Sequence, residues 1–371
     1  MLCASSSLAF ALWTLAVPKP VLAQSSAPTP VPPDTEIQRI LAKSVGGENR
    51  GIGIVVGVID ARGRRVITYG NPAKDDTRSL NGDTIFEIGS ITKVFTSLVL
   101  MDMVQKGEVS VADPVSRYLP ASVTVPTRGG MTITLQDLST HRSGLPPEAP
   151  GRRRISDTYS VQDLYDFLGH YQLTRDIDSQ FEYSNLGVGL LGYALSLRAK
   201  TDYESLLKAR VLGPLGMHDT SISLSADMKR RLAVGHDATL TPVPKMDFSI
   251  SVPLNPAGGL SSSANDLLTF LAANIGYRQT LLAKAMAAQV SGRWPAPLPS
   301  MPDLQIAYGW VIQTKNGNFI IWHNGGTFGF RTFMGFSPKH RAGVVVLSNW
   351  FGTSLPDDIG RHLLDSSYPL P

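Results

Sequence analysis

Cysteine is almost missing from this chain: Cys3 is the only one in 371 residues, and it lies in a segment that reads as removable. Leu8 to Val17 is an apolar run, and Val21-Leu22-Ala23 ahead of Gln24 is a small-residue cleavage site of the kind that ends a secretory signal. The segment departs from a usual signal in carrying no Lys or Arg before the apolar run. Cleavage after Ala23 would leave a mature chain without a thiol. That excludes disulfides, a cysteine nucleophile and cysteine-ligated metal sites, so an exported chain must draw its stability from its core.

Long apolar runs are scarce as well. The N-terminal one is short and interrupted by Pro18 and Pro20, too short for a comfortable membrane span. No integral span is expected once the signal, residues 1–23, is removed. Residues 24–35, rich in Ser and Pro, read as a flexible tether.

An excess of one charge sign is also lacking. Lys and Arg total 34 against 30 Asp and Glu, a formal charge of +4 that falls to +3 when Lys19 leaves with the signal. A nucleic-acid reader shows a basic stripe or a recognisable module, and neither is present, so nucleic acid is not an expected partner. The one dense run, Arg152-Arg153-Arg154, reads as a solvated loop, with attraction of an anionic substrate to a cleft rim as the alternative.

Metal and cofactor patterns fare no better. The seven histidines are scattered without i,i+4 pairing, and there is no H-E-x-x-H. Gly187-x-Gly189-x-x-Gly192 matches the dinucleotide fingerprint but lacks the preceding strand and the later acidic residue. Close helix packing explains it better. No metal and no cofactor are expected.

What is present is a full-sized core, with 43% hydrophobic and 17% charged residues, as in a soluble globular protein. Gly51 to Asp60 is a β-branched run that Gly63 and Arg65 to Tyr69 complete as a hairpin. Trp310–Thr314, Phe319–His323, Thr332–Phe336 and Val344–Leu347 follow near the other end, separated by Gly, Asn or Pro. Between them, from about Ser90 to Leu282, the pattern is mostly helical: Ser90–Lys106, apolar nearly all round, then Val161–His170, Leu186–Leu197, Tyr203–Leu212 and Asn265–Ala273. Pro356–Leu364 is a candidate terminal helix.

These elements predict an α/β protein of α+β type. An antiparallel sheet, built from both chain ends (about 50–70 and 305–350), is flanked by helices and interrupted by a mostly helical insertion at about 100–300. The domain is expected to run from 36 to 371, with a cleft between sheet and insertion.

Three blocks carry chemistry. Ser90-Ile91-Thr92-Lys93 follows Gly89 and opens the buried helix. Residues three apart share a helix face, so Ser90 and Lys93 can meet. The helix N-terminus favours a developing alkoxide, and a desolvated lysine can accept the serine proton. A second S-x-x-K, Ser205-Leu206-Leu207-Lys208, lies mid-helix without a glycine turn and serves as a decoy. In the second block, Tyr183-Ser184-Asn185, a phenol of depressed pKa is expected to shuttle a proton, and the Asn185 amide to hold a substrate carbonyl. In the third, a strand ending at His323 runs into a glycine turn, Asn324-Gly325-Gly326, where an extended substrate can approach the backbone. A free N–H there, paired with that of Ser90, would make an oxyanion hole. His323 reads either as a site-lining imidazole or as a purely structural one.

The chain resembles the serine β-lactamase and penicillin-binding protein superfamily, in particular its class C β-lactamase and DD-peptidase branch. The likeness runs from Gly51 to about Asn349. It includes Phe86-Glu87-Ile88-Gly89-Ser90, Thr140-His141-Arg142-Ser143-Gly144-Leu145-Pro146, Phe181 to Gly192, Gly213-Pro214-Leu215-Gly216-Met217, Pro256-Ala257-Gly258-Gly259-Leu260 and the final Gly-rich strand. The resemblance implies Ser90 as the acylated nucleophile, Lys93 and Tyr183 as its proton-handling pair, and Asn185 as a substrate-amide contact. It places the oxyanion hole on the N–H groups of Ser90 and Gly326. It also implies a bacterial, periplasmic or secreted enzyme acting on β-lactams or peptidoglycan peptides, without metal or cofactor.

Two departures qualify the substrate. The usual Lys-Thr-Gly is His323-Asn324-Gly325 here, so a fixed cation is lost unless His323 is protonated or an arginine substitutes. Glu148 stands where class C enzymes tend to have Gln; a carboxylate there repels a penicillin side chain or favours a substrate with a free amine. An esterase of the same fold, acting on small acyl esters, and a penicillin- or peptidoglycan-binding sensor that hardly turns over are the alternatives.

Overall fold

The computed structural model describes residues 31–45, 53–73, 76–149, 158–248 and 251–370. The signal segment, the tether up to residue 30 and Arg152–Arg154 lie outside them.

The architecture is mixed α/β around an antiparallel sheet of eight strands, assembled from both ends of the chain. Strand Gly63–Gly70 forms one edge, followed by Gly53–Asp60, Ala342–Ser348, Arg331–Ser337, Asn318–Gly326 and Val311–Lys315. Two very short strands, Gln305–Ile306 and Trp294–Pro295, complete the other edge. The N-terminal strand therefore lies beside the C-terminal one, with Ile54 opposite Ser348 and Ile59 opposite Gly343.

Both faces of the sheet are covered, which is why its central strands read as continuous apolar runs rather than alternating ones. Ile54, Val56, Val58, Val344 and Val346 face a core closed by helices Asp34–Val45 and Leu355–Leu364. Val55, Ile59, Val345 and Leu347 face a larger core that also contains helices Thr92–Gln105 and Ala264–Asn274. The Asp34–Val45 helix was not legible in the sequence, and it takes in Asp34 and Thr35, which the sequence reading gives to the tether. Ile37, Ile40, Leu41 and Val45 make one buried face, and Asp34, Glu36 and Lys43 suit the ends of the helix dipole.

The helices between the two sheet segments follow the pattern closely. Val161–His170 and Asn185–Ala199 form where expected, each with a serine N-cap, and the former with a full capping box. Tyr203–Leu212 is α-helical only to Leu207 and continues as a π-turn over Lys208–Leu212. The decoy lies here on the surface, its Lys208 paired with Glu204 at 2.8 Å. The glycines of the false dinucleotide fingerprint are packing positions: a Cβ on Gly189 would lie 2.4 Å from the Pro253 carbonyl oxygen, and one on Gly192 2.2 Å from Pro256.

One expectation is corrected. Asn324, Gly325 and Gly326 do not form a turn; they are strand residues, paired with Phe333, Thr332 and Arg331. The turn comes at 327–330, closed by Thr327 N–H donating to the Phe330 carbonyl at 3.0 Å. The β-ladder to Arg331–Ser337 outlasts the preference of glycine for turns, because the partner strand offers consecutive backbone groups to satisfy.

Candidate active site

Ser90 does not begin the α-helix itself. It sits in a 3-10 turn, Gly89–Ile91, from which helix Thr92–Gln105 starts. Gly89 adopts φ +50°, a left-handed conformation natural to glycine. Thr92 Oγ1 donates to the Gly89 carbonyl at 2.6 Å and accepts from Leu260 N–H at 3.2 Å, fastening the turn to the neighbouring loop. The turn also lies directly on the third strand: a Cβ on Gly89 would fall 2.8 Å from Gly326 N, and one on Gly325 1.9 Å from the Ile88 oxygen. Two glycine backbones in contact thus bring the serine turn against the sheet.

Lys93 is fully buried on the same helix. Its Nζ lies 3.0 Å from Ser90 Oγ, 2.6 Å from Asn185 Oδ1 and 2.6 Å from the Ala257 carbonyl oxygen. Burial lowers its pKa to about 7, opposed by the negative charge of Glu148. A neutral lysine has two N–H bonds and one lone pair. The Asn185 and Ala257 oxygens can only accept, so they take both N–H bonds. The lone pair is left for the Ser90 hydroxyl.

Tyr183 differs from expectation in its electrostatics. Burial pushes its hydroxyl pKa up rather than down; the hydrogen bond to Ser90 opposes this and the charge of Glu148 adds to it. The phenol is therefore a proton donor at rest. Lys93 Nζ lies 4.8 Å from its ring centroid. On the other side His141 stacks on the ring at 4.5 Å and 30°.

His141 is the residue that the sequence reading missed as a site group. It is buried at φ +59°, and its Nδ1 accepts from Ser184 N–H at 3.0 Å. Burial first, then the proximity of Lys93 and His323, which makes a further positive charge unfavourable, hold its pKa well below the ordinary value, so the ring is neutral. Its place behind Tyr183 depends on a backbone conformation that no spacing rule announces.

Asn185 is set by the start of its helix. Ser184 caps that helix by accepting from Gly187 N–H at 2.9 Å and donates to the Pro146 carbonyl at 2.6 Å, while Asn185 N–H donates to the Pro147 carbonyl at 2.8 Å. The Asn185 side chain, with Oδ1 on Lys93, donates through Nδ2 to Glu148 Oε1 at 2.5 Å. Glu148 is thereby brought into the cleft, which Ser90, Asn185 and the apolar side chains of Met246, Phe248 and Leu254 also line. Gly326 and Thr327 close its sheet side.

His323 is buried, with its ring 6.4 Å from that of Tyr183. Its Nδ1–H donates to the Asn324 carbonyl at 2.6 Å, and Nε2 has no partner among the described residues. Burial and the Lys93 charge lower its pKa to about 3. It is thus a neutral imidazole, and the cation usual at this position is not restored. Arg331, on the adjacent strand, is committed to Asp357 at 2.8 Å.

A second missed group is Glu87, only 2% exposed, which accepts from Met246 N–H at 2.7 Å. Burial raises its pKa. It ties the apolar wall of the cleft to the strand that leads into the serine turn.

Fold and site together define a serine hydrolase. A half-buried serine hydroxyl in a turn that leads into a buried helix, 3.0 Å from a desolvated lysine amine and hydrogen-bonded to a phenol, supplies the groups such an enzyme needs. The family model described as Beta-lactamase matches residues 37–366, and the chain belongs to the beta-lactamase family. Over 312 residues it is 31% identical to the D-alanyl-D-alanine-carboxypeptidase/endopeptidase AmpH of Escherichia coli K12, covering 80% of this chain and 78% of that one. It is 25% identical to a beta-lactamase of Pseudomonas fluorescens, over 80% of this chain and 88% of the relative. Among solved structures, a beta-lactamase/D-alanine carboxypeptidase from Pseudomonas syringae superposes with a TM-score of 0.76 at 22% identity, covering 91% of this chain and 99% of that one. A class C beta lactamase from Rhodobacter sphaeroides gives 0.75 at 24%, over 89% and 98%. At these identities the superpositions speak for the fold.

Proposed function

We propose that the protein is an exported bacterial hydrolase that forms an acyl-enzyme on Ser90 and hydrolyses β-lactams or D-alanyl peptide bonds. The observation that carries this reading is the hydrogen-bond inventory of Lys93, which leaves its lone pair directed at Ser90 Oγ. Ser90 Oγ attacks the substrate carbonyl carbon and its proton passes to Lys93. The oxyanion is received by the N–H groups of Ser90 and Gly326, whose backbones meet at Gly89. Tyr183, protonated at rest, delivers its proton to the leaving nitrogen as the C–N bond breaks, and recovers one from Lys93, which thereby returns to the neutral amine. Water then releases the acyl group. The relative AmpH, whose name gives it carboxypeptidase and endopeptidase activity, favours the peptide arm. Export rests on the N-terminal sequence; among the described residues no helix is long and apolar enough to cross a membrane.

Intact-mass measurement over time with benzylpenicillin, beside a Ser90→Ala control, tests the reading. A Ser90-dependent adduct supports it. Rapid loss of the adduct with spent antibiotic means a lactamase, and persistence means a DD-peptidase or sensor. No adduct at high drug concentration moves the assignment to an esterase of the same fold. That second reading is favoured by one observation: His323 is a neutral imidazole, and the cation beside Gly326, Arg331, is already paired with Asp357.

The pH dependence follows from Lys93, which must be neutral to take the serine proton. With its pKa near 7, the acylation rate is expected to rise about tenfold per unit below pH 7 and to level off above it. Single-turnover rates across pH 5–9 measure this. A rate still climbing at pH 9 means that the base titrates above pH 9 and that burial does not hold Lys93 neutral at rest.

A further inference from the structure

The sheet has two ends, and only one of them serves the cleft. Gly53, Gly326, Arg331 and Ser348 lie at the end that meets the Ser90 turn. The turns after Asp60 and before Ala342 lie at the other, about 25 Å away along the strands. No run of the sequence announces the charge gathered there; folding collects it from three loops. Arg64 follows the first hairpin turn, and Lys339 and Arg341 lie in the last one. Arg278 belongs to the loop that joins helices Ala264–Asn274 and Ala283–Gln289, brought to this end because Leu271 packs on Gly343. All four cations are exposed.

None of their contacts neutralises them. Arg64 Nη1 donates to Thr269 Oγ1 at 2.9 Å, Lys339 Nζ donates to Asn318 Oδ1 at 2.6 Å, and the Arg341 guanidinium lies 4.9 Å from the Tyr277 ring centroid. Arg64 and Arg278 are close enough for their charges to repel. The carboxylates of this end are engaged elsewhere: Asp60 with Arg62 and Arg65, Asp34 with Arg65, and Asp365 with Ser367 N–H at 2.9 Å. Two apolar side chains stand among these cations. Tyr277 is 38% exposed, and Leu281, four positions on in the same loop, is 97% exposed. A lone exposed leucine is ordinary on a protein surface. Beside an aromatic ring and four cations it matches a surface that lies on a bilayer, basic groups at the lipid phosphates and an apolar tip below them. A polyanion in solution would satisfy the cations and leave Leu281 in water.

We infer that this end of the sheet docks on a bilayer rich in anionic phospholipid, with Leu281 and Tyr277 entering the interface and Arg64, Arg278, Lys339 and Arg341 on the phosphates. The cleft, at the far end of the strands, then faces away from the lipid. The inference goes beyond the acyl-transfer reading and does not depend on it.

Sedimentation of the mature chain, from Gln24 onward, with phosphatidylcholine vesicles that contain or lack ~30% phosphatidylglycerol tests it. The wild-type chain is expected to bind the anionic vesicles about tenfold or more tightly than the neutral ones, and to lose most of that preference between ~0.05 M and ~0.5 M salt. Arg278→Gln, Lys339→Gln and Arg341→Gln together are expected to weaken binding about a hundredfold, at roughly fivefold per charge. Leu281→Ser is expected to weaken it about tenfold. Unfolding midpoints at wild-type values show that these surface changes leave the fold intact. The mature chain has no cysteine, so single labels are clean. A polarity-sensitive fluorophore on Leu281→Cys is expected to shift to the blue on anionic vesicles, and one on Phe351→Cys, beside Gly326, is not. Equal affinity for both vesicles, binding unmoved in the triple variant, or a blue shift at position 351 overturns the inference. Retention on heparin with vesicle binding unmoved in Leu281→Ser overturns it as well, and makes the patch a polyanion site.

Discussion

Replacing Ser90 with alanine is expected to lower turnover by roughly four to six orders of magnitude and to abolish any covalent adduct. The size of the effect follows from the site's economy of parts. Lys93 and Tyr183 both meet Ser90 Oγ, so without it the base has no proton to take and the phenol no intermediate to resolve. The substitution removes a single half-buried atom from a turn that is held by Thr92 and the Ile88–Leu260 hydrogen bond. Stability should change by less than about 1 kcal/mol. Turnover by purified Ser90→Ala at more than about 1% of the wild-type rate would place the nucleophile elsewhere.

Gly325→Ala is expected to damage both folding and chemistry. Its Cβ would lie 1.9 Å from the Ile88 oxygen and 2.5 Å from Thr332 Oγ1. Neither obstacle is the free end of a flexible side chain. The Ile88 carbonyl accepts from Ile91 N–H at 3.2 Å and from Thr332 Oγ1 at 3.1 Å, so moving it disturbs the serine turn itself. Overpacking of this kind costs about 3 kcal/mol, and a shift of about 1 Å between nucleophile and sheet costs roughly a hundredfold in rate. Gly326→Ala is the contrasting variant. Its Cβ would meet Phe351 at 3.4 Å and Arg331 at 3.5 Å, ordinary contact distances, and its unfolding midpoint in urea should stay close to wild type. Equal stability of the two variants would contradict the packing described.

How much of this was legible in the sequence depends on whether a residue acts through its neighbours in the chain or across the fold. The pairing of Ser90 with Lys93 was legible because helical spacing alone brings positions three apart together. The sheet strands were legible because β-branched runs bounded by glycine admit few other readings. The Asp34–Val45 helix was hidden by the Pro-rich segment before it, although Ile37, Ile40 and Leu41 carry the helical period. Asn324–Gly326 misled because glycine pairs signal turns locally, while the ladder to Arg331–Phe333 is a long-range fact. The upward shift of Tyr183 and the role of His141 belong to burial and stacking, which exist only after distant segments meet. Glu148 was legible as a departure from a family pattern. Its bond to Asn185, 37 positions away, was not.

The pairing of the first sheet strand with the last sets a timetable for the molecule. Ile54 finds Ser348, and Gly53 N–H donates to the Asn349 side chain at 2.6 Å, only after almost the whole chain has been synthesised. Until then the β-branched strand Gly53–Asp60 has one hairpin neighbour and lacks the other. Contacts of such sequence separation form late and slowly. A nascent chain of this design cannot complete its sheet, or bring the Ser90 turn against Gly325, while its C-terminal strands remain in the ribosome.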